Sequence, residues 1–208
     1  MSRNLRPKQK HIQICGGIAS GKTTLAALLS NLGVCVSYEN FSANPFYRAF
    51  YRDPSANAFE TEITFLLQHF HALKHSVNQE RNFCCDYSLV LDLAYADITL
   101  KDKHRKIFMA VYREAQRIVG SPNFLIHLRC DPLEELRRIH RRRRVPELSI
   151  TTDYLMALNA ALARRVTRQS AHSEIIEIDS GQIDFARDED HQKKVLALIA
   201  RRLRAAKK

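Results

Sequence analysis

Short runs of apolar or β-branched residues recur along the chain, separated by longer stretches in which apolar positions repeat at helical spacing. The runs predict strands at His11–Cys15, Val34–Ser37, Phe83–Asp86, Phe124–Arg129 and Ile175–Asp179, of the kind a parallel sheet needs when both faces are covered. The periodic stretches predict helices at Gly21–Asn31, Pro45–Tyr51, Asn57–Asn78, Lys101–Val119, Leu133–Arg142, Thr152–Gln169 and Asp190–Arg204. Asp131-Pro132, just ahead of Leu133, has the form of an N-cap followed by proline at the first helical position. Strands and helices alternate without an internal repeat, a low-complexity segment or a dividing linker. That order predicts an α/β fold: a doubly wound, five-stranded parallel sheet flanked by helices, with ligands beyond the carboxyl ends of its strands. One domain over residues 1–208 is expected, with basic tails at 1–10 and 205–208.

Between the first strand and the first helix lies Gly16-Gly17-Ile18-Ala19-Ser20-Gly21-Lys22-Thr23, followed by Thr24. This is a complete phosphate-binding P-loop in its proper strand–helix setting. The glycines let successive N–H groups turn inward toward an anion, and the helix behind adds the positive end of its dipole. Lys22 would neutralise the β- and γ-phosphates, and the Thr23 hydroxyl would complete a magnesium shell. A nucleoside triphosphate with Mg2+ is the expected ligand.

Composition adds exclusions. No stretch approaches the roughly 20 apolar residues of a membrane span. The basic start (Arg3, Arg6, Lys8, Lys10) lacks the apolar core of a signal peptide, so a cytoplasmic location is expected. Cys15, Cys35, Cys84, Cys85 and Cys130 are odd in number and lie in or beside strands, where thiols act as small hydrophobes. The net charge of +11 raises the question of nucleic acid. Its excess sits largely in the first ten residues, Arg137–Arg144 and the last eight, and no aromatic lies between Pro132 and Thr152 for stacking on bases. Clustered arginines equally suit a lid that grips phosphate edges, so nucleic acid is not the expected partner.

Carboxylates follow the second and third strands, in Tyr38-Glu39-Asn40 and Asp86-Tyr87-Ser88. Beside a P-loop they suit an acceptor base and a metal-associated group. With Phe50-Tyr51-Arg52-Asp53-Pro54, Ala58-Phe59, Asp92 and the arginine-rich segment leading into Asp153-Tyr154-Leu155-x-x-Leu158-Asn159, they form an ordered set. In that set the chain resembles the deoxynucleoside kinase family, in particular its bacterial deoxyadenosine/deoxyguanosine kinase branch. The resemblance implies ATP-dependent phosphorylation of a deoxynucleoside 5′-hydroxyl, in nucleotide salvage. It further implies Glu39 as general base, Asp86 with magnesium, and Arg142 and Arg144 as lid arginines with Arg138 one turn earlier. Tyr51 and Glu147 match the pair on the sugar 3′-hydroxyl, and Asp92 and His69 match the end of the base pocket. Asp86-Tyr87 completes the acceptor side, and homodimers are common among relatives.

One position departs from the family. Where relatives carry a glutamine that reads the base, this chain has Glu62. An ionised carboxylate only accepts hydrogen bonds, whereas the amide also donates. Guanine presents two adjacent donors and adenine one, so a purine is expected. Two other readings fit the P-loop: a thymidylate-type nucleoside monophosphate kinase, and a basic nucleotide switch that binds nucleic acid.

Overall fold

A computed structural model describes residues 10–77 and 81–205. Asn78, the expected end of one helix, lies outside them, as do the expected basic tails apart from Lys10 and Ala205. Five strands form one parallel sheet: β1 (His11–Gly16), β2 (Cys35–Ser37), β3 (Phe83–Cys85), β4 (Phe124–Arg129) and β5 (Glu174–Asp179), in the order β2-β3-β1-β4-β5. The fourth strand has the expected bounds, and the others differ by one residue or so at an end. Eight α-helices are present among the described residues: α1 (Lys22–Ser30), α2 (Tyr47–Arg52), α3 (Pro54–Ser76), α4 (Leu89–Thr99), α5 (Asp102–Val119), α6 (Pro132–Arg142), α7 (Thr152–Gln169) and α8 (Glu189–Ala205).

The sheet is apolar on both sides. Ile12, Ile14, Phe124, Ile126 and Leu128 pack against Leu25 and Leu29 of α1 and against Val195 and Ile199 of α8. Cys15 and Leu125 face the opposite layer, with Leu155, Leu158 and Leu162 of α7. Phe83 and Cys85 meet Leu66 and Leu73 of α3 and Phe108 of α5. Registers bring Gly16 beside Leu128, Ser37 beside Cys85, and Arg129 beside Asp179, so the carboxyl ends of the strands share one edge.

Two helices correct the sequence expectation. Helix α3 begins at Pro54 rather than Asn57, because the Asp53 side chain caps it by accepting from the Ala56 N–H at 3.1 Å. Helix α4 was not expected at all. It is apolar nearly all round, wedged among α3, α5 and α7, and so lacks an amphipathic stripe. Its start is fixed by Ser88, whose hydroxyl accepts from Leu91 N–H at 3.1 Å. All five cysteines are free, and burial pushes the Cys85 thiol up to about 12, as inert structural thiols require.

Candidate active site

The P-loop runs from the end of β1 into α1. Gly21 sits ahead of the helix at φ 102°, a left-handed conformation suited to glycine, and no side chain caps the first turn. A Cβ at Gly17 would collide with Glu135 beneath the loop, so the loop is seated directly on α6. Glu135 is fully buried, its Oε2 accepts from Asn159 Nδ2 at 3.0 Å, and burial pushes its carboxyl up to about 8. Lys22 Nζ folds back over the loop and donates to the carbonyls of Gly16 (3.0 Å) and Gly17 (2.9 Å). Ser20 is fully buried and its hydroxyl has no protein partner, a group poised for an incoming acceptor. Arg138 reaches the loop from α6, donating to Ala19 O (3.5 Å) and to Ser180 O (2.7 Å) while pairing with Glu134.

Asp86 joins this end to the next. Its Oδ2 accepts from the Thr23 hydroxyl at 2.7 Å, and its Oδ1 accepts from the Glu39 backbone N–H at 2.6 Å. Hydroxyl and carboxylate oxygens are the hard donors that Mg2+ prefers, and magnesium beside triphosphates takes only one or two protein ligands. No cluster of three His, Cys, Asp or Glu ligands occurs among the described residues.

Beyond Glu39 the cavity deepens, enclosing about 590 Å³ from the P-loop to α3 and α4. The Glu39 side chain is 32% exposed. Burial alone would raise its pKa, but the close contact with His69 and the positive charge there outweigh this and hold it below the usual range. His69, from α3, is buried, with Nδ1 2.9 Å from both carboxylate oxygens of Asp92 on α4. Its ring stacks on Tyr87, with centroids 4.4 Å apart and planes at 11°. Glu62 is buried two turns earlier on the same face of α3, with Thr99 Oγ1 3.1 Å from its Oε1, and burial pushes its carboxyl up to about 8.

Above this chamber, the turn Val145–Ser149 carries Glu147, which is buried and accepts from the Tyr47 hydroxyl at 2.7 Å. Arg142 pairs with the same carboxylate, and Arg144 lies 3.6 Å from it with its guanidinium over the Phe41 ring. Within the protein it is Tyr47 that bonds Glu147, while Tyr51 and Glu147, the expected sugar-site pair, both line the cavity. Tyr51 lines the cavity one turn on, its ring edge-on to Tyr47 at 5.3 Å.

Of the residues singled out from sequence, Ile18 to Thr24, Glu39, Tyr51, Glu62, His69, Asp92, Arg138, Arg142, Arg144 and Glu147 line this cavity. Gly16, Gly17 and Asp86 support it from behind. Tyr87 is not in its wall; it is buried in the core, its hydroxyl 2.9 Å from Ser37 Oγ, and serves as the plate beneath His69. Sequence reasoning missed Tyr47, Thr99, Glu135 and the segment Ile183–Arg187, which closes the P-loop end. Only Tyr47 carried a usable signal, as one of two tyrosines a helical turn apart.

A P-loop at the strand edge, opening onto a chamber that holds a carboxylate and is lined by arginines, defines a phosphotransferase of the P-loop kinase fold. The model of the deoxynucleoside kinase family matches residues 12–204, and the chain belongs to that family, whose members transfer phosphate from a nucleotide to a nucleoside. Among curated proteins it is 27% identical over 196 residues to a deoxyguanosine kinase of Bacillus subtilis (strain 168), covering 90% of this chain and 95% of that one. It is also 27% identical over 175 residues to a deoxyadenosine kinase of Dictyostelium discoideum, covering 81% and 71% respectively. A solved deoxyadenosine kinase from M. mycoides, with the products dCMP and dCDP bound, shares the fold at a TM-score of 0.78 and 23% identity, over 93% of this chain and 98% of that one.

Proposed function

We propose that the protein transfers the γ-phosphoryl group of ATP to the 5′-hydroxyl of a purine deoxynucleoside. The observation that carries this reading is one continuous cavity with Lys22 and the P-loop at one end, Glu62 at the other, and Glu39 with the arginines between. Triphosphate would draw Lys22 from the Gly16 and Gly17 carbonyls and bond the buried Ser20 hydroxyl. Magnesium held through Thr23 and Asp86 would neutralise phosphate charge. Glu39 takes the proton of the 5′-hydroxyl as its oxygen bonds the γ-phosphorus and the bond to the β-phosphate oxygen breaks, leaving ADP. Arg142 and Arg144, acting as a lid, hold the charge that spreads over the transferring group. Tyr47, Tyr51 and Glu147 border the sugar, and Ile183–Arg187 with Arg138 the donor base.

The purine assignment draws on the deoxyadenosine and deoxyguanosine kinases among the relatives. Glu62 agrees with it. Neutral near pH 7, it both donates and accepts as the family glutamine does. The same reading extends to a cytoplasmic homodimer, which sizing the purified protein by light scattering checks. The central test is a panel of the four common deoxynucleosides with ATP and magnesium, followed by monophosphate formation. Deoxyadenosine and deoxyguanosine should lead. A pyrimidine in first place would overturn the purine assignment, and absence of any product would overturn the reaction.

A further inference from the structure

His69 lies between two carboxylates. Nδ1 is 2.9 Å from Asp92, and Nε2 is 3.3 Å from Glu39 Oε1, within ion-pair range but out of line for a hydrogen bond. The ring is buried, with Tyr87 stacked on it at 4.4 Å and Phe65 at 5.8 Å, so it cannot swing away from either acid. A neutral imidazole has one nitrogen with a bare lone pair. Here each nitrogen faces a carboxylate, so either neutral tautomer would set a lone pair against negative charge. The imidazolium instead donates to Asp92 and sets its positive charge beside Glu39. Its pKa follows this geometry: burial lowers it, but the Asp92 charge and the contact with Glu39 prevail and hold it at about 10.

We propose that His69 is a positioning residue, anchored by Asp92, that holds Glu39 aimed at the acceptor hydroxyl. The inference rests on the reading of Glu39 as the base, and it adds a role in preparing that base to the place His69 and Asp92 hold in the cavity wall. Asp92 fixes the ring through both carboxylate oxygens. Tyr87, which is absent from the cavity wall, gains a purpose as the surface that sets the ring plane. No proton passes through His69 in this scheme: it remains charged while Glu39 takes the proton of the 5′-hydroxyl.

A double-mutant cycle on the full-length protein separates this from a structural role. Single-turnover phosphoryl transfer to the preferred deoxynucleoside is measured for the parent, His69→Gln, Glu39→Gln and the double variant, each with saturating ATP and magnesium. His69→Gln keeps hydrogen-bonding groups and loses the charge. It should slow transfer by roughly 10- to 100-fold, a share of the ~10²–10⁴-fold that general-base catalysis supplies, with ATP affinity within about twofold of the parent. In the Glu39→Gln background the same change should slow transfer no further than about twofold, because the group it acts through is already lost. Asp92→Asn gives the second arm, should His69→Gln fail to melt cooperatively, and should show the same non-additivity. Full, independent slowing in the Glu39→Gln background would overturn the inference, since His69 would then act on substrate directly. An inactive Glu39→Gln beside an unimpaired His69→Gln would overturn it alone, whereas a fully active Glu39→Gln would overturn the general-base reading and this inference with it.

Discussion

Glu62→Gln should stabilise the folded protein by an amount that grows with pH. In the fold Glu62 is buried between α3 and α4 and titrates at about 8, against 4.5 when solvated. Its folded-state pKa is raised, so the native state holds a proton that the unfolded chain releases, and stability falls as pH rises between these values. Each unit is worth about 1.4 kcal/mol, so between pH 4.5 and about pH 7 the parent gives up as much as ~3 kcal/mol. Glutamine has the same shape and no proton to lose, so its curve lacks this slope. The assay is urea unfolding of both proteins at half-unit steps from pH 5 to pH 8.5. Any constant offset, from a better or worse hydrogen bond to Thr99, is irrelevant; the widening of the gap is the signal. A gap that stays level across the range would show that Glu62 is ionised in the fold, and the argument for a neutral, amide-like carboxyl in the base pocket would fall with it.

Three further outcomes are expected. Lys22→Ala should abolish transfer and weaken ATP binding by at least tenfold, with thermal unfolding little changed, since Nζ contacts only loop carbonyls; isothermal titration and turnover check both. Tyr47→Phe should be the more harmful of the two tyrosine changes, lowering deoxynucleoside kcat/KM by roughly tenfold through the bond to buried Glu147, while Tyr51→Phe should stay within about threefold; a larger effect at Tyr51 would show that Tyr51 is the tyrosine that holds the sugar. Arg144→Ala should lower kcat more than it raises the deoxynucleoside KM, because the guanidinium is placed to meet charge that develops during transfer; a pure KM effect would count against the lid.

The sheet was legible because its central strands β1, β3 and β4 are buried almost throughout, and burial on both faces leaves a largely apolar run that sequence cannot disguise. The same condition hid α4. A helix sandwiched among α3, α5 and α7 has no polar face, so its period vanishes, and only the Ser88 cap marked it. Asp131-Pro132 was read as a helix start, and the identical device at Asp53-Pro54 was passed over because the polar residues after it weaken the apolar stripe. At the site, motif order located the P-loop, Glu39 and the arginines. It singled out Tyr51 but not the bond from Tyr47, one turn away on α2, to Glu147, because that bond depends on how the turn at Glu147 folds over the helix. Nor could it reveal that Glu39, His69 and Asp92 form one row, since they come from three elements brought together only by packing.

The position of Asp86 has a thermodynamic consequence. One carboxylate is shared between Thr23, at the mouth of the P-loop, and the backbone of Glu39, at the threshold of the acceptor chamber. Whatever draws an oxygen of Asp86 toward the donor phosphates also tugs the strand end that presents Glu39, so occupancy of one half of the cavity is felt in the other. Such coupling is reciprocal: the factor by which bound ATP changes deoxynucleoside affinity must equal the factor by which bound deoxynucleoside changes ATP affinity. Any such coupling would run through this one carboxylate, so a change at Asp86 should alter the two factors equally.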